Sequence, residues 1–359
     1  MGGPTLRVGF IGCGSHSFRN VYPVLRFVPV ELAAVCDLDS AKAAAFARQF
    51  GASASYTDYR TMLAQERLDA VFIVTGYDAK GRPLYPALAR DCLEAGCHVW
   101  MEKPPAASVA DLDALREVAD RAGRTVMVGF KKMFFPANEK AHKLSRAPDF
   151  GRLSLVTMQY PQSIPTPEEF ARYRDGECLW SVVGFLDHLC HPVSLMLLLA
   201  GMPERMRYAR AADGGGVAVF SYPSGAVTSM ALLPSNAGHW MNGGMERTLL
   251  ASDKGRGITI ENNFRVTYHR RPPDIGYGDA PDFYHGSPDE ANAVWEPEFS
   301  LGQLYNKGLF LLGYYGEIRE FVHAILENRP PAKATLADAR DATRIFERFA
   351  EGPDREITL

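Results

Sequence analysis

Short apolar runs alternate with stretches of helical periodicity over the first 130 residues of the chain. The apolar runs are rich in β-branched residues, which is typical of parallel strands buried on both faces. The last helical stretch lies between Ser108, a predicted N-cap, and Gly123, a predicted C-cap. Strand and helix in alternation predict a doubly wound α/β domain with a parallel sheet. The predicted strands are 6–12, 30–37, 68–76, 97–103 and 124–130, and the predicted helices are 40–50, 83–96 and 108–123.

The pattern changes after Phe130, where alternating strands separated by turn residues become dominant. This part predicts an α+β domain on an open, mostly antiparallel sheet. The expected division is a first domain over 1–128 and a second over 129–359, with the C-terminal helices able to pack back on the first. A stretch without periodicity, 270–303, is long enough to predict a functional loop. The strands are predicted at 153–160, 205–211, 216–222, 226–233, 247–252, 257–261 and 265–270, and the helices at 137–145, 179–201, 313–329 and 335–350.

Composition indicates a globular protein that acts on small molecules. The 359 residues are 47% hydrophobic and 23% charged, which is enough to bury two cores. The net charge of -3 and the absence of long basic runs argue against nucleic acid or an anionic membrane as a partner. Six cysteines at irregular spacing, without any CxxC, indicate reduced core residues and no metal site. Without a leader-like or long apolar segment, the expectation is a soluble, cytoplasmic protein.

The first predicted strand runs into a glycine-rich turn, GFIGCGSHS. Gly12 and Gly14 supply the tight turn and the close backbone approach that a dinucleotide pyrophosphate needs at a helix N-terminus. Ser17 stands where the third glycine of such a motif is usual. Asp37 ends the second predicted strand, where a carboxylate can accept hydrogen bonds from ribose hydroxyls and would repel the extra phosphate of NADP. The sequence therefore favours NAD over NADP.

Two groups of charged residues interrupt apolar segments. Glu102 and Lys103 end the fourth predicted strand and are followed by two prolines, and a charge there is costly unless it is solvated, paired or used. Asp187 and His191, four residues apart, share one face of the apolar helix 179–201, whereas His188 points about 100° away. The alternatives to a functional role are a surface ion pair for the charges at the strand end and an ordinary core histidine on the helix.

These motifs, in this order, resemble the Gfo/Idh/MocA oxidoreductases, which include glucose-fructose oxidoreductase and inositol dehydrogenase. The resemblance spans nearly the whole chain and includes the VGF segment at 128–130 and the closing segment YGEIREFVHAILENRPP. It implies a catalytic set of Lys103, Asp187 and His191, with His191 as the base, Lys103 on the reacting oxygen and Asp187 orienting the substrate. It also implies a proline after Lys103, frequently in a cis peptide bond. The implied cofactor-binding residues are Gly12, Gly14, Ser15, His16, Ser17, Asp37, Thr75, Glu102 and Lys103.

The chain departs from the family pattern at two places. The segment TGYDAKGRPLYP after the third long strand is several residues longer than usual and has Gly76 in place of a proline. Ser194 stands where a second acid is common. The resemblance implies a sugar, polyol, cyclitol or glycoside as substrate. Candidate substrate contacts are Lys131, Lys132, Tyr160, Trp180 and His188.

Three functional hypotheses follow. The first is an NAD-dependent dehydrogenase that acts on a secondary hydroxyl of a sugar or cyclitol. The second is a redox glycosidase that oxidises a ring hydroxyl transiently, eliminates the aglycone and regenerates the cofactor. The third is a non-catalytic NAD-binding sensor. An uncovered sheet face in the second domain predicts a homodimer or homotetramer.

Overall fold

The computed structural model describes residues 3–234, 246–270, 292–297 and 307–359. Its contacts divide the chain into two compact units. Unit 1 comprises the described residues of Met1–Phe134, Pro167–Ser194 and Asn306–Ala350, and unit 2 those of Phe135–Thr166, Leu195–Tyr305 and Glu351–Leu359.

Unit 1 is built on a parallel sheet of six strands. The strand order β3-β2-β1-β4-β5-β6 reverses direction between β1 and β4, which creates the crevice where doubly wound folds bind ligands. Strands β1, β2, β4, β5 and β6 are those predicted from the apolar runs, and β3 is an additional edge strand of three residues. The strands are β1 Leu6–Ile11, β2 Val30–Cys36, β3 Ala54–Tyr56, β4 Ala70–Ile73, β5 His98–Met101 and β6 Val126–Val128.

Local sequence signals position the helices of unit 1. The Asp39 side chain accepts hydrogen bonds from the first turn of α1, and the Ser108 hydroxyl accepts one from the backbone of Asp111 at the start of α4. Gly123 ends α4 in the left-handed conformation that favours glycine. The helices of the two units together are α1 Ser40–Phe50, α2 Tyr59–Gln65, α3 Tyr85–Glu94, α4 Val109–Ala122, α5 Pro136–Ser145, α6 Pro167–Arg174, α7 Trp180–Ala200, α8 Lys307–Leu311, α9 Tyr314–Leu326 and α10 Leu336–Phe349; α5 lies in unit 2, and the last residues of α7, from Leu195, also belong to unit 2.

The division into units differs from the single boundary after residue 128, because distant segments return to the parallel sheet. Helix α9 packs on β5, and α10 packs on α4 and β6. The backbone N–H of Val128 donates to the Ala334 carbonyl at 2.9 Å, which extends the hydrogen bonding of β6 to the segment before α10. Burial of the apolar faces of α9 and α10 therefore joins these helices to unit 1.

Unit 2 contains a nine-stranded, mostly antiparallel sheet in the order β14-β13-β12-β11-β7-β10-β9-β8-β15. The pair β10 and β7 is parallel and the other pairs are antiparallel. All seven strands predicted from alternation are present, and β14 and β15 are short additions. The strands are β7 Leu153–Pro161, β8 Arg205–Arg210, β9 Gly216–Ser221, β10 Val227–Leu233, β11 Arg247–Ser252, β12 Gly257–Glu261, β13 Arg265–His269, β14 Ala293–Trp295 and β15 Ile357–Thr358.

Helix α7 is long and apolar enough to span a membrane by length and composition. However, 72% of its most apolar 18-residue window is buried within the protein, as in the core helix of a globular domain. Pro192 lies inside this helix, directly after His191.

Candidate functional site

The turn after β1 has the geometry that its glycines predict. Gly12 has a φ of +108°, and a Cβ atom there would lie 1.9 Å from the Val74 carbonyl oxygen, so only glycine fits. A Cβ atom on Gly14 would meet nothing within 4 Å, which leaves open space in front of this backbone. The fully buried Ser17 hydroxyl accepts from the Gly14 N–H at 3.0 Å and lies within hydrogen-bond distance of the Gly12 and Gly14 carbonyls. Serine in the third glycine position therefore stabilises the turn.

Two polar groups at the carboxyl ends of β2 and β4, the strands on either side of β1, fit a dinucleotide in this crevice. Asp37, after β2, is half-buried and accepts the Cys13 N–H at 2.8 Å and the Asp39 N–H at 3.0 Å, which holds its carboxylate at the turn. Thr75, after β4, has a buried hydroxyl oxygen without a hydrogen-bond partner in the described structure. A buried polar atom of this kind needs a partner, and a bound cofactor would supply one. The residues present therefore fit NAD.

The charged pair at the end of β5 is held within unit 1. The Glu102 carboxylate is buried, accepts the Lys103 N–H at 2.9 Å and lies 2.9 Å from Nε2 of His16. Burial favours the neutral acid, but the hydrogen bond and charge of His16 and the charge of Lys103 outweigh it and lower the pKa of Glu102. The Lys103–Pro104 peptide bond is cis, as the resemblance implied.

Lys103 forms an ion pair with Asp187 of α7. Lys103 Nζ donates to Asp187 Oδ1 at 2.7 Å, and the two side chains are only 15% and 23% exposed. Burial opposes the ammonium charge, but the Asp187 and Glu102 carboxylates outweigh it and raise the pKa of Lys103. Lys103 is therefore a protonated hydrogen-bond donor at neutral pH. His188 Nε2 lies 3.7 Å from Asp187 Oδ2, so it is beside this pair although its helical position suggested otherwise.

His191 lies one helical turn beyond Asp187 and is partly buried. Burial, followed by the positive charges of Lys103, Lys131 and Lys132, lowers the pKa of His191 well below its usual value. Burial and the nearby lysines also lower the pKa of His188, against the Asp187 charge. Both imidazoles are therefore neutral at physiological pH, which leaves each able to accept a proton.

The structure adds Tyr77, Tyr314 and Glu317, which the sequence did not indicate, to this site, and it places the predicted substrate contact Lys131 beside Tyr314. Lys131 Nζ donates to the Tyr314 hydroxyl at 2.9 Å, and burial lowers the pKa of Lys131 to about 8. Glu317, one turn further along α9, is fully buried, and neither of its carboxyl oxygens is hydrogen-bonded to a described residue; burial and the Glu102 charge raise its pKa well above its usual value. Tyr77 faces Asp187 from the segment after β4. Only the apolar periodicity of α9 and the unusual length of the segment after β4 hinted at these residues.

The remaining predicted residues have diverse surroundings. Lys132 is buried, whereas Trp180 at the start of α7 is 68% exposed. Tyr160 is a buried residue of β7 in unit 2. The Ser194 hydroxyl donates to the His191 carbonyl at 3.1 Å. The predicted loop 270–303 lies largely outside the described residues.

The cysteines and possible metal ligands of the described chain form no metal centre. All six cysteines are free, and five of them are buried. The side chains of the described ranges contain no group of three or more His, Cys, Asp or Glu that could hold a metal ion.

Comparison with known proteins identifies the dinucleotide-binding part. Residues 6–130 match the model of the GFO_IDH_MocA family, described as an oxidoreductase family with an NAD-binding Rossmann fold. D-xylose 1-dehydrogenase (NADP(+)) 2 of Haloferax volcanii is 31% identical over 209 residues, which are 57% of this chain and 60% of that protein. The chain thus spans less than two thirds of this curated relative.

Solved structures match the fold along nearly the whole chain. A dehydrogenase from Chromobacterium violaceum superposes with a TM-score of 0.78 at 21% identity, covering 97% of this chain and 95% of the other. An oxidoreductase from Agrobacterium radiobacter, solved in complex with NAD+, L-tartaric acid and magnesium, gives a TM-score of 0.76 at 13% identity over 99% and 98%. The solved structures thus match the fold of both units, and residues 6–130 match the model of the same family that the sequence motifs resemble.

Proposed function

We propose that this chain is a cytoplasmic NAD-dependent oxidoreductase that transfers hydride between a secondary hydroxyl of a sugar, cyclitol or glycoside and the nicotinamide. The observation that carries the proposal is the buried Lys103–Asp187 ion pair, with the neutral His191 on the same face of α7. NAD, when bound, supplies the hydride acceptor. The family match and the sugar dehydrogenase among the relatives support this reaction class.

The proposed chemistry divides proton transfer and charge stabilisation between two residues. The Lys103 ammonium donates a hydrogen bond to the reacting oxygen, which stabilises negative charge on it as the C–H bond breaks. His191, kept neutral by burial and by nearby lysines, accepts the hydroxyl proton. Asp187 holds Lys103 in position at 2.7 Å and offers its second oxygen to the substrate.

The first experiment measures NADH absorbance and product release together. The purified protein is incubated with NAD, and separately with NADP, across sugars, cyclitols and glycosides that include anionic ones. NADH formed in equal amount with an oxidised polyol supports the dehydrogenase. Release of an aglycone that requires NAD but forms no net NADH supports the redox glycosidase instead. A protein that binds NAD and does neither is the sensor of the third hypothesis.

Replacement of Lys103 by Met should slow turnover strongly while leaving cofactor binding intact. The variant loses the donor to the reacting oxygen, so kcat should fall by about 10²–10³-fold. NADH binding, followed by fluorescence titration, should change little, and thermal unfolding checks that the unpaired Asp187 has not disrupted the fold. Lys103→Arg, which retains a positive charge, is the matched control. Full activity in the Met variant would contradict the role of Lys103.

The pH dependence of kcat/KM should report His191. Since its pKa is lowered below the usual 6.5, the imidazole stays neutral through pH 7 and gains a proton only at a lower pH. We therefore expect oxidation to remain level from pH 8 to pH 6.5 and to fall below that range. His191→Asn should lose about 10²–10⁴-fold in kcat and remove the acidic limb. An acidic limb that persists unchanged in the Asn variant would assign the proton to another group.

Cofactor preference should depend on Asp37. Asp37→Asn retains a side-chain oxygen for the Cys13 N–H but removes the charge that repels a 2′-phosphate. NADH affinity should fall about tenfold, because the charged acceptor for the ribose hydroxyls is lost. The ratio of NADH to NADPH affinity should fall further, because the repulsion of the NADPH 2′-phosphate is removed at the same time. Fluorescence titration of both cofactors measures this ratio. An unchanged ratio would remove Asp37 from cofactor selection.

We also infer that unit 2 associates with a second copy of this chain through its sheet. One face carries exposed apolar side chains on three central strands, namely Val217 and Val219 of β9, Leu155 of β7 and Leu249 of β11. Exposed apolar side chains grouped on one sheet face are typical of a protein interface.

A charge on this face tests the interface. Val219, which is 40% exposed, should tolerate replacement by Arg in the folded chain, but the charge would be desolvated between two sheets. Light scattering should find the wild type as a dimer or tetramer and Val219→Arg as a smaller species. Val219→Thr, of similar shape and without charge, is the control. A wild-type monomer would refute the inference.

A further inference from the structure

The segment between β4 and α3 that exceeds the usual length, Gly76–Leu84, forms a self-braced loop. Asp78 Oδ1 accepts the backbone N–H groups of Lys80 at 2.8 Å and Arg82 at 2.9 Å. The Leu84 N–H donates to the Gly76 carbonyl at 3.2 Å, so the two ends of the loop are adjacent. The loop therefore holds its shape largely by its own hydrogen bonds.

The tip of this loop is fixed against α6 and α7. The Tyr173 hydroxyl of α6 donates to the Gly81 carbonyl at 3.1 Å. Gly81 has a φ of +72°, and a Cβ atom there would lie 2.5 Å from Val183 Cγ2 of α7. Only glycine allows this close approach, so the loop keeps a defined position on the helix that carries Asp187 and His191.

Tyr77, near the start of the loop, connects Asp187 to an exposed tryptophan. Its ring meets Trp180 edge to face, with centroids 6.1 Å apart and planes at 87°. Burial and the neighbouring Asp187 carboxylate raise the pKa of Tyr77, which keeps the phenol protonated. One side chain thus touches both the ion-paired carboxylate and the Trp180 ring.

Trp180, Asp187 and His191 also lie on one stripe of α7. At 100° per residue, positions seven and eleven residues after Trp180 return to within about 20° of its direction. Trp180 lies about 10 Å along the helix axis from Asp187. Two aromatic rings therefore extend outward from the ion pair on the same side of the helix.

A single exposed tryptophan is common on protein surfaces and needs no ligand to explain it. Here, however, a rigid loop outside the usual family length places a second ring between that tryptophan and the ion pair. The flat, apolar faces of aromatic rings suit the C–H faces of sugar rings, and binding pockets commonly combine such faces with a few polar groups.

We propose that Tyr77 and Trp180 form an outer subsite that binds a second ring of the substrate, so that the chain acts on glycosides or disaccharides in preference to free monosaccharides. The inference rests on the proposed function, since the reacting ring is the one held at Lys103, Asp187 and His191. The second sugar ring packs on Trp180. Tyr77 lies between Trp180 and the ion pair, where it positions Asp187.

The test compares each monosaccharide of the panel with its methyl glycoside and with a disaccharide that contains it at the non-reducing end. Binding to the NAD-loaded protein is followed by saturation-transfer NMR and calorimetry, and kcat/KM is measured in parallel. The wild type should bind the disaccharide about three- to tenfold more tightly than the monosaccharide. Trp180→Ala should remove this preference, and Trp180→Phe should retain most of it.

Two controls separate this inference from the proposed function. Trp295→Ala removes a partly exposed indole from β14 of unit 2 and should leave the preference unchanged. Lys103→Met should lose turnover but retain the binding preference. Equal binding of one-ring and two-ring sugars, or a preference that survives Trp180→Ala, would overturn the outer subsite while the dehydrogenase stands. A preference in binding without turnover of any compound would refute the proposed function alone.

Discussion

The ion pair between Lys103 and Asp187 sets the conditions for the rest of the site. Removing two charges from water costs several kcal/mol for each ion, and only close contact and further polar neighbours offset this cost. The end of β5 and the face of α7 must therefore meet within hydrogen-bond distance, as they do at 2.7 Å. The hydrogen bond between Glu102 and His16 links this ion pair to the turn after β1. The strand end, the helix and the glycine turn therefore depend on one another.

The titratable side chains around the ion pair differ in their protonation states, which gives them different chemical roles. Glu102 remains ionised because His16 and Lys103 are close to it. The carboxyl oxygens of Glu317 have no hydrogen-bond partner among the described residues, and burial and the Glu102 charge raise the pKa of Glu317, so it stays neutral. Burial, followed by the charges of the nearby lysines, lowers the pKa of His191 and keeps it unprotonated. The two carboxyl groups thus differ in protonation state within unit 1, and so do the protonated Lys103 and the neutral His191.

The sequence predicted features that depend on local chemistry. Helix α1 has the predicted bounds, and the N-cap at Ser108 and the C-terminal Gly123 were read correctly, because capping needs only neighbouring residues. The short elements β3, α2 and α6 were missed, since a few residues carry too little periodicity. The return of the C-terminal helices to the first domain was allowed for, but their exact contacts and the positions of Tyr77 and Glu317 depend on packing between distant segments, which no local pattern encodes.

The loop Gly76–Leu84 also has a consequence for how such a protein could change. Because its ends are bridged by one hydrogen bond and its interior is braced by Asp78, the part of the loop beyond Tyr77 could be shortened, exchanged or randomised while β4, α3 and the Tyr77 contact with Asp187 remain. Selectivity and chemistry would then evolve separately. Related chains with different loops between β4 and α3 could bind different substrates while the catalysed reaction stays the same.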